Sequence, residues 1–159
     1  MDQAIRLPED GSRWTTATVS MSPEILDRME RAVAKVRERL LRATGALNKA
    51  GIPYGVVGGH AVAFWVATVD EGAVRNECDV DILVRRDDLP AISGALEEAG
   101  FVRDELLNHI MFRDGPTGKS REAVHLLFSG EKAPHDHSLP VPGIESVHDP
   151  DDFRVITLD

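Results

Sequence analysis

Cys78-Asp79-Val80-Asp81-Ile82-Leu83-Val84 combines the composition of a buried strand with two acidic residues. A strand of period two places Asp79, Asp81 and Leu83 on one face and the other four residues on the opposite face. Residues 82–84 are apolar without polar alternation, which favours a central strand over an edge strand with a solvated face. Cys78 is then expected to be a small buried hydrophobe on the apolar face.

The two carboxylates of this stretch point to a chemical role. Like charges at positions i and i+2 of an apolar strand repel each other, so their placement is costly unless something compensates for it. A hard divalent cation removes this cost, and Mg²⁺ is typically bound through one or two carboxylates together with the phosphates of a substrate. The pattern therefore predicts that Asp79 and Asp81 are metal ligands rather than a solvated pair.

A glycine pair precedes this strand. Gly58 and Gly59 lie between a predicted strand over 54–57 and a predicted helix over 60–67. Glycine permits positive φ and a close approach of a ligand to the backbone, and the N-terminus of a helix favours a phosphate group. A tight turn between strand and helix explains the two glycines equally well, so both interpretations stay open at this point.

The remaining patterns complete a fold of mixed α and β structure. Ser22 and Pro23 begin a long helix whose apolar residues are spaced by three or four, and which ends before Gly51. Further along we predict a helix over 89–99, a hairpin of strands over 106–113 and 122–128, and a short strand over 153–157. Residues 21–159 thus predict a single α+β (α/β-like) domain, with a mixed sheet of about four to five strands, helices packed on the sheet and a long helix before it. Residues 1–20 are polar and aperiodic, and we expect a flexible N-terminal arm.

Length, charge and cysteine content exclude several classes of protein. The 159 residues suggest one domain. The 27 acidic against 18 basic side chains argue against strong nucleic-acid binding, since such affinity depends on Lys and Arg. The single cysteine excludes an intramolecular disulfide and fits a reducing compartment. No apolar run is long enough to span a membrane and the N-terminus lacks a signal-peptide pattern, so we expect a cytoplasmic protein without a membrane segment.

Together, the glycine pair and the Asp-x-Asp strand resemble the nucleotidyltransferase superfamily with the DNA polymerase β type of catalytic fold. That family carries a strand, a Gly-Gly or Gly-Ser turn, a helix, and then a strand with Asp-x-Asp. The stretch Arg75-Asn-Glu-Cys-Asp-Val-Asp-Ile-Leu-Val84 looks like the small bacterial stand-alone members, in which Arg-x-Thr-x-Asp-x-Asp is common. Glu77 stands where threonine is usual. The resemblance covers roughly residues 35–128.

The resemblance implies a nucleotide-binding site and a transfer reaction. Gly58 and Gly59 would hold the triphosphate of an NTP, and Asp79 and Asp81 would hold Mg²⁺ or Mn²⁺. The reaction would move a nucleoside monophosphate to a hydroxyl or phosphate of an unknown acceptor, which could be a small molecule, a protein or an RNA.

Two further residues are candidates for contacts with the nucleotide. His60 follows the glycine pair, and a surface histidine at a helix N-terminus is an equally good interpretation. Arg75 could bind a phosphate, or could instead pair with one of the nearby acidic residues Asp70, Glu71 and Glu77.

The sequence departs from the family at one catalytic position. The family has a third carboxylate on a later strand, and the matching segment here, Val124-His125-Leu126, has a histidine instead. Imidazole is a poor ligand for Mg²⁺ but can accept a proton. Three readings stay open: a protein that has lost its activity, an active enzyme that uses His125 as the base or Mn²⁺ as the metal, and a misaligned strand.

The chain also ends at Asp159, earlier than the small bacterial members usually do. It could be truncated, naturally short, or completed by a second subunit, and the long helix is compatible with a homodimer. Two functions therefore compete. One is a metal-dependent nucleotidyltransferase. The other is a catalytically inactive module of the same fold that acts as a binding or regulatory partner, for example in a toxin–antitoxin or resistance-type operon.

Overall fold

Seven strands form one mixed sheet, in the order β3-β4-β5-β2-β1-β7-β6. The computed structural model describes residues 22–75, 77–131, 142–145, 147–149 and 153–157, so the predicted arm over 1–20 lies outside the described residues. The helices are α1 (Pro23–Lys49), α2 (Gly58–Ala67) and α3 (Leu89–Glu98). The strands are β1 (Gly55–Val57), β2 (Val80–Val84), β3 (Val102–Leu106), β4 (His109–Arg113), β5 (Val124–Phe128), β6 (Val147–His148) and β7 (Val155–Ile156).

Strand β2 is the central strand of the sheet, as its apolar composition predicts. It pairs antiparallel with β1 and parallel with β5. Alternate residues of these strands, Val80, Ile82 and Val84 on β2 with Val124 and Leu126 on β5, belong to one buried core. Residues from the C-terminal half of α1 and from α3 belong to the same core, so these two helices cover that face of the sheet. The predicted α+β class with a long N-terminal helix is confirmed.

The predicted number of strands is wrong, because β3 and β6 were not predicted. Strand β3 is an edge strand with the charged sequence Arg103-Asp-Glu105 in its middle, so it lacks the apolar pattern of a buried strand. A tight turn at Leu107 and Asn108, both at positive φ, joins it to β4, and the sequence carries no Asn-Gly signal for such a turn. Strand β6 has only two residues. The predicted pairing of the strands now seen as β4 and β5 is confirmed.

The start of β2 also differs from the prediction. The strand begins at Val80 rather than at Cys78, and Cys78 is exposed instead of buried. The carbonyl oxygen of Cys78 accepts a hydrogen bond from Nη1 of Arg39 on α1, at 3.2 Å. Because this carbonyl is bonded to a helix, the backbone joins the β ladder only two residues later, where Val80 pairs with Val124.

Helix α1 uses one apolar stripe in two different ways. It begins with Pro23 in the first turn and ends before Gly51, whose φ of 68° is the left-handed conformation expected after a helix. In its C-terminal half, Leu40 and Leu47 of the stripe are buried in the core. In its N-terminal half, Met29 and Val33 of the same stripe are 49% and 43% exposed. None of the described helices is long and apolar enough to cross a membrane.

Two arginines of α1 fix the helix to the strands through one carboxylate. Asp114, directly after β4, accepts Nε of Arg39 at 3.2 Å and Nη2 of Arg42 at 2.5 Å. Arg39 is 5% exposed, so its charge is taken almost wholly out of water. Partial burial raises the pKa of Asp114, but the hydrogen bonds and charges of Arg42 and Arg39 outweigh burial, and the net pKa is lowered. Asp114 therefore stays ionised and compensates the buried guanidinium.

We predict that Asp114→Asn destabilises the fold by about 2–3 kcal/mol at pH 7, because it leaves Arg39 without a counter-charge. Since the folded pKa of Asp114 lies below its ordinary value, this stabilisation is present above about pH 4 and is lost as the pH falls below it. Urea unfolding followed by circular dichroism measures the loss in the free energy of unfolding at pH 7 and its decrease at pH 3.5. Glu97→Gln, on the exposed surface of α3, is the control. An equal loss in the two variants contradicts the prediction.

Candidate active site

The pairing of three neighbouring strands brings the candidate residues together. Asp81 on β2 is in register with His125 on β5 and with Val57 at the end of β1. In the next strand pair, His125 is in register with Met111 on β4. Cross-strand partners point to the same side of a sheet, and these residues alternate with the core residues, so they lie on the face opposite the core. His125 is thus placed beside Asp81, where the family pattern has its third carboxylate.

Asp81 is a half-buried carboxyl in a negative environment. Burial, followed by the negative charges of Asp79 and Glu77, raises the pKa of Asp81 to about 6, while the charge of His109 opposes the increase. Asp79 is close enough to act on Asp81, although it lies one residue before the strand rather than within it. The site therefore holds negative charge that nothing among the described residues fully compensates.

The glycine pair packs directly against these acids. Helix α2 begins at Gly58 rather than at position 60, and Gly58 has a φ of 66°. A Cβ atom on Gly58 would overlap Oδ2 of Asp81, and one on Gly59 would overlap the side chain of Glu77. No side chain caps the N-terminus of α2. The free backbone N–H groups of this helix end therefore lie next to the acidic residues, which is an arrangement suited to a phosphate group bound together with a cation.

His60 and Arg75 have different surroundings in the structure. His60, in the first turn of α2, is half-buried and contacts the backbone of Asp79; burial lowers the pKa of His60 despite the nearby negative charges of Glu77 and Asp79. A neutral His60 offers a phosphate no positive charge. Arg75 is exposed, and it forms no ion pair with any residue that the structure describes. Of the two interpretations of Arg75, pairing with a neighbouring acidic residue is therefore not observed among the described residues. Nucleotide contacts of both residues stay predictions.

A second histidine, which sequence reasoning missed, completes the site. Nε2 of His109 on β4 lies 2.7 Å from Nδ1 of His125, and the two rings stack with centroids 5.0 Å apart. Nε2 of His125 lies 3.1 Å from the carbonyl oxygen of Ser120, which can only accept, so this nitrogen carries a proton. In a neutral His125 ring, Nδ1 then accepts a hydrogen bond from His109. The predicted pairing of the strands carrying His109 and His125 could have indicated His109.

The donor set of this site fits a hard cation bound together with a phosphorylated ligand. Among the described residues, no three histidine, cysteine or acidic side chains are grouped so that they hold a metal ion by themselves. Asp79 and Asp81 supply carboxylate oxygens, and Mg²⁺ or Mn²⁺ could complete its coordination with phosphate oxygens and water. The raised pKa of Asp81 shows that a positive charge there would be electrostatically favourable.

One comparison with known proteins identifies the family of the chain. The model of a family described as uncharacterised nucleotidyltransferases matches residues 17–139, and the chain therefore belongs to that family. The matched range contains the glycine pair, both aspartates and both histidines of the site. No curated protein matches the chain. No solved structure matches it either.

We predict that Asp81→Asn stabilises the protein at pH 8, because it removes a buried charge from a negative environment. The folded pKa of about 6 lies above the ordinary value, so the penalty is absent below about pH 4 and complete above about pH 7. After allowance for partial solvent exposure, the expected gain in unfolding free energy is about 1–2 kcal/mol at pH 8. Urea unfolding at pH 4 and pH 8 measures the gain, with Asp87→Asn as an exposed control. A loss of stability at pH 8 contradicts the prediction.

We also predict that Gly58→Ala destabilises the protein by about 1–3 kcal/mol, through its positive φ and the overlap with Asp81. Gly94→Ala is the matched control, since Gly94 lies inside α3, is exposed and has open space at its Cβ position. The control is expected to gain about 0.5–1 kcal/mol from lower chain entropy in the unfolded state. Thermal unfolding of both variants tests this. Equal effects at the two positions contradict a special role for Gly58.

Proposed function

We propose that the protein is a metal-dependent nucleotidyltransferase that binds an NTP and transfers its nucleoside monophosphate to an acceptor. Membership in the family supports the general class. The observation that carries the proposal is the contact between Gly58, at the uncapped N-terminus of α2, and the half-buried Asp81. This contact supports the proposal because a phosphate at the helix N-terminus would lie beside a cation held by Asp81, and phosphoryl chemistry needs both.

In this reaction, an oxygen of the acceptor forms a bond to the α-phosphorus of the nucleotide. The bond from that phosphorus to its bridging oxygen breaks, and pyrophosphate leaves with the electron pair. The proton of an acceptor hydroxyl passes to a base or to solvent. A bound Mg²⁺ or Mn²⁺ supplies charge neutralisation at the attacking and leaving oxygens. Asp79 and Asp81 would hold that cation, and the backbone N–H groups at Gly58 and Gly59 would orient the triphosphate.

The hydrogen bonds of His125 give it a positioning role in this proposal. One of its nitrogens donates to the carbonyl oxygen of Ser120, and the other is engaged with His109, so no lone pair is free to take a proton from the acceptor. His125 instead fixes the ring of His109, whose charge acts on Asp81. Imidazole thus replaces the third carboxylate as a structural support of the site, with Asp79 and Asp81 as the oxygen ligands.

We predict that one or more of the four NTPs binds the wild-type protein in the presence of Mg²⁺ or Mn²⁺. Asp79→Asn and Asp81→Asn should each weaken this binding at least tenfold, since each removes a ligand charge. Asp87→Asn, on an exposed carboxylate outside the site, should leave it within twofold. Isothermal titration calorimetry with each NTP and each metal measures the affinities. Absence of binding for all combinations contradicts the proposal.

The inactive module is the competing function, and the imidazole at the position of the third carboxylate is the observation that favours it. The variant His125→Asp separates the two. If the variant releases pyrophosphate from a bound NTP and the parent does not, the parent has lost its activity and acts as a binding module. Turnover by the parent at a rate equal to or above that of the variant supports the enzyme.

A further inference from the structure

A cavity of about 470 Å³ lies between α1 and α2, next to the carboxylates. The exposed half of the α1 stripe forms one wall, including Met29, Val33 and Val36. Residues of α2 together with Val74, Arg75, Glu77 and Cys78 form the other. The cavity has the volume of a typical small-molecule site. Most of its lining is apolar, so it would bind the apolar part of a molecule rather than a second nucleotide.

The cavity borders the candidate active site, because two of its lining residues contact residues of that site. The side chain of Glu77 lines the cavity, packs against Gly59 and raises the pKa of Asp81. His60 also lines the cavity and contacts the backbone of Asp79. Asp79 and Asp81 do not line the cavity themselves, but Glu77 and His60 connect its lining to both of them. The acceptor of a transfer reaction must occupy a place of this kind.

Two cations in the lining indicate the charge of the ligand. Arg37 and Arg75 both line the cavity, and neither forms an ion pair with a residue in the described part of the chain. In contrast, Arg39 and Arg42 on the same helix are both paired with Asp114. The lining also holds the carboxylate of Glu77, but the two guanidinium groups without an ion pair among the described residues outnumber it, and they favour an anionic group on the ligand.

We infer that this cavity binds the acceptor, and that the acceptor is a small, largely apolar molecule carrying one anionic group. The identification of the ligand as the acceptor rests on the proposed function. The existence of a binding site for such a ligand does not depend on the proposed function. Since the exposed α1 stripe could alternatively be covered by a second copy of the chain, the experiment includes the oligomeric state.

The test uses the full-length protein and two dyes that differ by one charge. The anionic dye is 8-anilinonaphthalene-1-sulfonate, and the neutral dye is N-phenyl-1-naphthylamine, which lacks the sulfonate. Cys78 lines the cavity and is the only cysteine of the chain, so its rate of alkylation by iodoacetamide reports occupancy of the cavity directly. The inference predicts saturable binding of one anionic dye per chain, at least fivefold tighter than the neutral dye, and at least threefold slower alkylation of Cys78 in its presence.

Matched variants on α1 separate the cavity from the rest of the helix. Ala32 lines the cavity and Ala34 does not, and both are exposed. Ala32→Trp should weaken dye binding at least tenfold by filling the space, and Ala34→Trp should leave it within twofold. Arg37→Gln should remove the preference for the anionic dye, whereas Arg31→Gln, on an exposed arginine outside the cavity, should preserve it.

Three results would overturn the inference. The first is dye binding that is unchanged in Ala32→Trp or leaves the alkylation of Cys78 unchanged. The second is equal affinity for the two dyes. The third is a dimer in analytical ultracentrifugation that dissociates in the variant Val33→Asp, together with faster alkylation of Cys78 in that variant. In that case a second copy of the chain covers the cavity. These measurements contain no NTP, so their failure leaves the proposed function intact. Conversely, dye binding as predicted without any NTP binding would leave a small-molecule site that is not an acceptor site.

Discussion

The parallel pairing of β2 with β5 determines both the core face and the polar face of the sheet. Val80, Ile82 and Val84 enter the core together with Val124, Leu126 and Phe128, because the two strands pair residue by residue over five positions. Side chains alternate along a strand, so a slip of one residue would move Asp81 and His125 into the core and expose the apolar residues. The free energy of core packing thereby fixes the position of the polar residues on the other face.

The price of this arrangement is a half-buried carboxyl beside two other acids. Burial and the charges of Asp79 and Glu77 act against ionisation of Asp81, yet the fold holds all three in place. Gly58 leaves no side chain between its backbone and Asp81, and Arg39 anchors the carbonyl of Cys78 directly before Asp79. A fold that keeps acids together by such contacts stores electrostatic free energy, which a cation would release on binding. This gives a physical reason why the same residues would serve the proposed metal and phosphates.

Local patterns were sufficient to predict the parts of the fold that carry their own signal. The apolar run of β2, the spacing of α1 and the glycine pair each indicated an element that the structure contains. The charged strand β3, the two residues of β6 and the turn at Leu107 and Asn108 carry no such signal, since pairing with neighbours determines them. Cys78 was assigned to the wrong environment because a side chain distant in sequence, Arg39, binds its carbonyl. His109 required the register between β4 and β5, which periodicity alone does not provide.

The two halves of helix α1 connect the core to the proposed acceptor cavity. Its 27 residues are more than the core needs, since only the C-terminal half of its apolar stripe is buried there. The N-terminal half of the stripe has the same apolar spacing of three or four residues, although it is not buried in the core. The exposed half forms one wall of the cavity that Glu77 and His60 also line. Binding of the proposed acceptor would give this half a role that packing in the core does not. On this argument, the β-sheet face would supply the general chemistry of the proposed nucleotidyl transfer, while α1 would determine which acceptor reaches it.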